Sequence, residues 1–118
     1  MAHLLVGSCT VAMTQMQQFT TRIQNWEQDV VGTPDGPDFH GVYLRSGDPG
    51  RVLIELRFRD RAAAEACIAA GHVERLEREV VACTGDESEA FVGYDLFYGA
   101  SRNGERTVFG DTVHHIDG

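Results

Sequence analysis

Few side chains in this 118-residue chain have the chemistry to act on a small molecule: five histidines, one tryptophan and three tyrosines lead the field. His40 stands in "PDFHGVYLR", a stretch that alternates like a strand, and a neutral imidazole gives and takes protons near pH 7. It reads as a general acid/base if it faces a pocket and as a strand-end histidine if it does not. Tyr94 offers a phenol hydroxyl to a substrate oxygen, or simply packs. Trp26 would wall a flat ligand or fill the core, and His72, beside Gly71, would lean over a pocket mouth.

Other chemistries find less footing. His114 and His115 would point to opposite faces of a strand, and no acid or cysteine stands at ligand spacing, so no metal is expected there. Cys9, Cys67 and Cys83 are too scattered for a disulfide framework or a zinc site, and read as small packed hydrophobes. Glycine-rich phosphate loops and the Gly-x-Ser-x-Gly elbow are absent from the sequence, so no nucleotide cofactor or hydrolase site is expected.

Composition narrows the partners. Ten arginines and no lysine face 18 acids, a formal charge of −8, which repels phosphate backbones and anionic membranes. Nucleic acid and membrane are therefore not expected partners. The start, "MAHLLVGSC", lacks the basic residues and apolar length of a signal peptide, and no stretch reaches membrane-spanning length. A reduced, cytoplasmic protein is the expectation. A 42% hydrophobic content over this length fits one globular domain.

The elements that must carry these residues follow from periodicity. Residues 3–13 read as a buried strand. Met16, Phe19, Ile23, Trp26 and Val30 make one helical stripe, with Thr14 as its predicted N-cap and Gln17 completing a capping box. Phe39 to Arg45 and the run ending at Phe58 form a hairpin around "SGDPG". Asp60 caps a second helix to about Cys83, with a kink or short break at Gly71. Ala90 to Tyr98 is a fourth strand, and "RTVFGDTVHHI" would add an edge strand, to this chain or to a partner chain. This order is βαββαβ: an α+β, ferredoxin-like fold with a four-stranded antiparallel sheet and two helices on one face. Residues 1–99 form that domain and 100–118 a tail.

Alternation then sorts the two faces of the sheet. Val52, Ile54, Leu56 and Phe58 belong under the helices, with His40, Val42 and Leu44. In the fourth strand Val92, Tyr94, Leu96 and Tyr98 are the more apolar set and are assigned to the same side. Phe39, Tyr43, Phe91 and Phe97 then share the opposite face with Glu55, Arg57 and Asp95, a mixture suited to a dimer interface. Glu55 and Arg57 read there as an intersubunit ion pair.

The stretch "PDFHGVYLRSGDPGRVLIELRFRDRAAAEACIAAGHVERL" resembles the central signature of the antibiotic biosynthesis monooxygenase-like group of the dimeric α/β-barrel superfamily. The matching features are Pro37, Phe39 and Gly41 leading into strand two, the strand ending at Phe58, the acidic turn at Asp60, and His72 in the following helix. The resemblance covers roughly residues 4–98 and implies a homodimer with a pocket between sheet and helices. Members oxidise polycyclic phenols without metal or flavin, degrade haem, cyclise polyketides or isomerise lactones. The oxygenating members end strand three in a Trp, where this chain has Phe58, and the quinone-forming ones carry an Asn where it has Ile54. Haem-binding members use a helix-two His, but His72 is 14 residues beyond Phe58, and Cys67 lies nearer their spacing.

The expectation is an enzyme acting on a small aromatic or polyketide-like molecule without a cofactor, by oxygenation or by acid/base cyclisation or isomerisation. His40 and Tyr94 would be catalytic, with Trp26, Phe58, His72 and Ile54 lining the substrate. The alternative is a non-catalytic dimeric module of the same fold that binds a ligand or a partner protein.

Overall fold

A computed structural model describes residues 2–84, 88–100, 106–108 and 111–113. Its first four strands are β1 (His3–Thr10), β2 (Phe39–Arg45), β3 (Asp48–Phe58) and β4 (Ser88–Asp95), and its helices are α1 (Met16–Val30), α2 (Arg61–Ala69) and α3 (His72–Thr84). The strands form one antiparallel sheet in the order β2-β3-β1-β4, covered by the helices on one face, so the ferredoxin-like α+β architecture stands. No helix among the described residues is long and apolar enough to cross a membrane.

Burial of the expected stripe explains α1. Phe19, Ile23, Trp26 and Val30 are its buried residues, and they meet Val52, Ile54, Leu56 and Phe58 of β3 in one core. Each such side chain contributes about 1.5–3 kcal/mol when taken fully out of water. Two ion pairs, Arg22–Glu79 at 3.0 Å and Arg75–Asp29 at 2.7 Å, tie α1 to α3 along its flank.

Several boundaries differ from the sequence reading, among them the end of β1 at Thr10 and the end of β4 at Asp95. Thr14 caps nothing: a 3-10 turn over Met13–Gln15 precedes α1, and Gln15, in the N-cap position, makes no side-chain cap. The predicted second helix is two helices, because Gly71 adopts φ +82°, which ends α2 and restarts the chain as α3. Asp60 does cap α2, accepting the Ala63 N–H at 2.8 Å. Beyond β4 the described strands β5 (Tyr98–Ala100), β6 (Arg106–Val108) and β7 (Asp111–Val113) pair with one another in a small antiparallel sheet. His114 and His115 lie outside the described residues.

The facing of β4 is a larger correction. Val92 and Tyr94 point away from the helices, paired with Val6 and Leu4 of β1, and are about half exposed. Phe91 packs against the core, and Asp95 bonds the buried His3 on the helix side. A register shift between Val6 and Ser8 places Phe91 over Gly7, where any Cβ would lie 3.1 Å from its ring. Phe97 follows the strand end and is exposed.

Candidate functional site

The segment between α1 and β2, "VGTPDGPDF", fixes where His40 lies. Gly32 takes φ +80°, its N–H reaches the Pro37 carbonyl at 3.3 Å, and the Pro37 side chain is fully buried. Gly36 passes so close to the end of α1 that a Cβ there would lie 1.8 Å from the Val30 carbonyl oxygen. Only glycine permits that approach. The chain then enters β2 with His40 opposite Leu56, on the helix side, as alternation requires.

There the His40 side chain is 1% exposed and its Nδ1 lies 2.5 Å from Oε2 of Glu27 on α1. An ionised carboxylate can only accept, so with Glu27 charged Nδ1 carries the proton and donates it. The Trp26 ring stands edge-on to the imidazole, centroids 5.3 Å apart at 67°. His40 Nε2 is buried and has no hydrogen-bond partner among the described residues. Such an orphan costs about 1–3 kcal/mol unless a water or a ligand meets it.

Glu27 connects this buried imidazole to the outside. Its side chain is 43% exposed, and it lines a 210 Å³ groove between α1 and the edge of β2 with Phe19, Thr20, Ile23, Gln24 and Val42. Three apolar side chains and two neutral polar ones therefore surround one carboxylate. The arrangement can hold a flat apolar molecule and bring a base to it, with the imidazole fixing the carboxylate from behind.

The other sequence-predicted residues are distributed differently. Trp26 belongs to the cluster, but as core: it is fully buried and its indole N–H donates to the His72 carbonyl at 2.9 Å. His72 is thus joined to the cluster by its backbone, at the start of α3. Phe58 and Ile54 are buried core residues and do not line the groove. Tyr94 is 54% exposed on the other face of the sheet, so it is not brought to His40 at all. Two residues, Glu27 and His3, went unread. Glu27 follows Trp26 and stands one helical turn beyond Ile23, so it flanks the apolar stripe, a signal available in the sequence. His3 and Asp95 form a second histidine–carboxylate pair at 2.7 Å across β1 and β4, with Asp95 on the helix side and not on the open face to which alternation of β4 had assigned it.

On the open face, Tyr43 donates its hydroxyl to Glu55 at 3.0 Å, and Arg57 bonds the same carboxylate oxygen at 3.0 Å while covering the Phe39 ring. The Tyr43 phenol is pushed up by that bond to Glu55. Glu55 and Arg57 are thus paired within one strand of the chain itself.

Among solved structures, the likeness is in backbone. Rv0793 from Mycobacterium tuberculosis superposes with a TM-score of 0.66 at 13% identity, covering 86% of this chain and all of that one, 100%. A Nitrosomonas europaea protein assigned by name to the antibiotic biosynthesis monooxygenases gives 0.65 at 15% identity, covering 82% of this chain and 91% of that one. This chain has the fold of the antibiotic biosynthesis monooxygenase-like proteins. A conserved protein from Methanosarcina mazei Go1 gives 0.62 at 19% identity, over 79% of this chain and 90% of that one. No family model matches the chain, and no curated protein does either. At these identities the likeness speaks for the fold; chemistry has to come from the side chains.

Proposed function

We propose that the protein is a small-molecule enzyme that moves a proton on an apolar, aromatic or polyketide-like carbon acid held in the groove between α1 and the β2 edge. The observation that carries this reading is the Glu27–His40 pair, with its carboxylate lining the groove and its imidazole sealed behind. Glu27 takes a proton from carbon beside a carbonyl, and the electron pair of the broken C–H bond moves onto the carbonyl oxygen as an enolate. Gln24, which lines the groove, offers it a hydrogen bond from its side-chain amide. Isomerisation ends when the proton returns at another carbon; cyclisation ends when the enolate carbon attacks a second carbonyl, which takes up the proton. His40 holds Glu27 in place and shares its charge.

Proton transfer is favoured over oxygenation because Ile54 and Phe58 supply no donor to a substrate oxygen. The proposal includes a homodimer, supported by the half-exposed Phe39, Tyr43, Leu53, Val92 and Tyr94 on the face away from the helices.

The test is deuterium exchange. Flat aryl ketones and 1,3-diketones, 2-tetralone first, are incubated with the protein in heavy water and followed by proton NMR. Saturable exchange above the buffer rate is expected, and Glu27→Gln should lower it by about 10²–10⁴-fold. Exchange that is absent throughout, or unchanged in the variant, leaves the non-catalytic reading standing.

A further inference from the structure

The groove between α1 and the β2 edge carries one charge and no cation to match it. No basic side chain lines it, and Glu27 is its single ionisable group. The two arginines that join α1 to α3 serve other acids: Arg22 meets Glu79 at 3.0 Å and Arg75 meets Asp29 at 2.7 Å. Among the described residues Glu27 pairs with His40 alone. His40 Nε2 has no partner with which to share a second proton, so the ring meets Glu27 as a neutral N–H donor. The carboxylate is held by that bond and keeps its charge, and its half-exposed side opens on the groove.

The rest of the lining suits the donors of an ammonium group. Thr20, Gln24 and Glu27 stand at i, i+4 and i+7 on one face of α1. Thr20 gives its hydroxyl proton to the Met16 carbonyl at 2.9 Å, so towards the groove its oxygen only accepts. The amide oxygen of Gln24 accepts as well. An ammonium carries three donors and no acceptor, the inverse of this set. Phe19, Ile23 and Val42 keep water from the charge, which strengthens its attraction for a cation. A cavity of about 150 Å³ holds benzene, so the 210 Å³ at Glu27 admits an amine of one ring or two fused rings.

We propose that this groove binds small apolar primary amines in their ammonium form, and that an amine seated on Glu27 blocks the base. Such amines are protonated at pH 7, as lysine is. The ammonium N–H lies where the C–H of a carbon acid would lie, so the two ligands exclude each other. Only the blocking step rests on the proposed proton transfer; the binding does not.

Calorimetric titration of the intact protein at pH 7 with 2-aminoindane, indan-2-ol and indane-2-carboxylate compares three charges on one ring system. Saturable binding of the amine is expected, with a Kd at or below about 1 mM and at least about tenfold tighter than the alcohol, and none of the carboxylate. Glu27→Gln should weaken the amine to the level of the alcohol. Val42→Arg, at a half-exposed wall position, should abolish amine binding by setting a like charge in the groove. Asp95→Asn, in the other histidine–carboxylate pair, should leave the Kd unchanged. Where 2-tetralone exchange is measured, 2-aminoindane should inhibit it competitively, with an inhibition constant equal to that Kd. Amine binding without any ketone exchange supports this site and counts against the catalytic reading alone. The proposal is overturned by amine and alcohol of equal affinity, by an unaltered Kd in Glu27→Gln, by an equal loss in Asp95→Asn, or by no saturable amine binding. Ketone exchange that the bound amine leaves untouched overturns the blocking step.

Discussion

Two histidine–carboxylate pairs face the helices, and they use the same atoms in different settings. His40 Nδ1 meets Glu27 at 2.5 Å, and His3 Nδ1 meets Asp95 at 2.7 Å. The His40 ring is sealed, its Nε2 unpartnered, and its carboxylate lines a groove. The His3 side chain is 10% exposed, and its Nε2 edge lies against the backbone of Gly93, where a Cβ would be 2.9 Å away. Asp95 does not line the groove. A short bond between imidazole and carboxylate therefore does not by itself mark a site. What separates the pairs is the groove at the carboxylate and the unmet polar atom behind it. On this account the first pair works and the second fastens β1 to β4.

The largest expected effect separates the carboxylates. Glu27→Gln should lower ketone exchange by about 10²–10⁴-fold, while Asp95→Asn should leave the NMR rate at the wild-type level. Next comes the support of the first pair. Trp26→Ala empties a fully buried site and removes the bond to the His72 carbonyl, so urea unfolding should show a loss of about 3–5 kcal/mol. Gly93→Ala strikes the second pair instead, because the buried ring of His3 is pinned by Asp95 and has little room to yield. A cost of about 1–3 kcal/mol in the same assay, with exchange unaltered, is expected.

The smallest effect belongs to the thiols, which neither pair touches. Burial pushes Cys9 and Cys67 up to about 11 from the ordinary 9.0. The unfolded chain therefore ionises first, and the stability these neutral thiols lend is whole below pH 9 and drains between pH 9 and 11. At pH 8 both should resist an aromatic disulfide reagent until denaturant is added.

How much of this was legible beforehand depends on the strand. In β3 one parity is apolar throughout, so Val52, Ile54, Leu56 and Phe58 could be assigned to the core, and in β2 parity with Val42 and Leu44 carried His40 to the same side. In β4 both parities hold aromatics because the open face is apolar too, and counting hydrophobes chose wrongly. What decided it was a register shift that lays Phe91 on Gly7, together with the bond from Asp95 to His3. These are pairings with β1, a strand more than 80 residues away in sequence. Glu27 was hidden for a different reason. A carboxylate on the flank of an amphipathic helix looks like a solvated charge until the tight Val30–Pro37 turn brings β2 back beside it. Gly71 carried a clear signal, and the structure turned its break into two helices.

The most direct measurement compares exchange in His40→Leu with exchange in His3→Leu, each alongside its unfolding midpoint. His40→Leu removes a buried orphan atom and leaves Glu27 partly solvated, so stability should hold within about 1 kcal/mol while exchange is lost. His3→Leu should cost about 1 kcal/mol of stability and leave exchange intact. Equal exchange in the two variants would contradict the assignment of the Glu27–His40 pair as the working one.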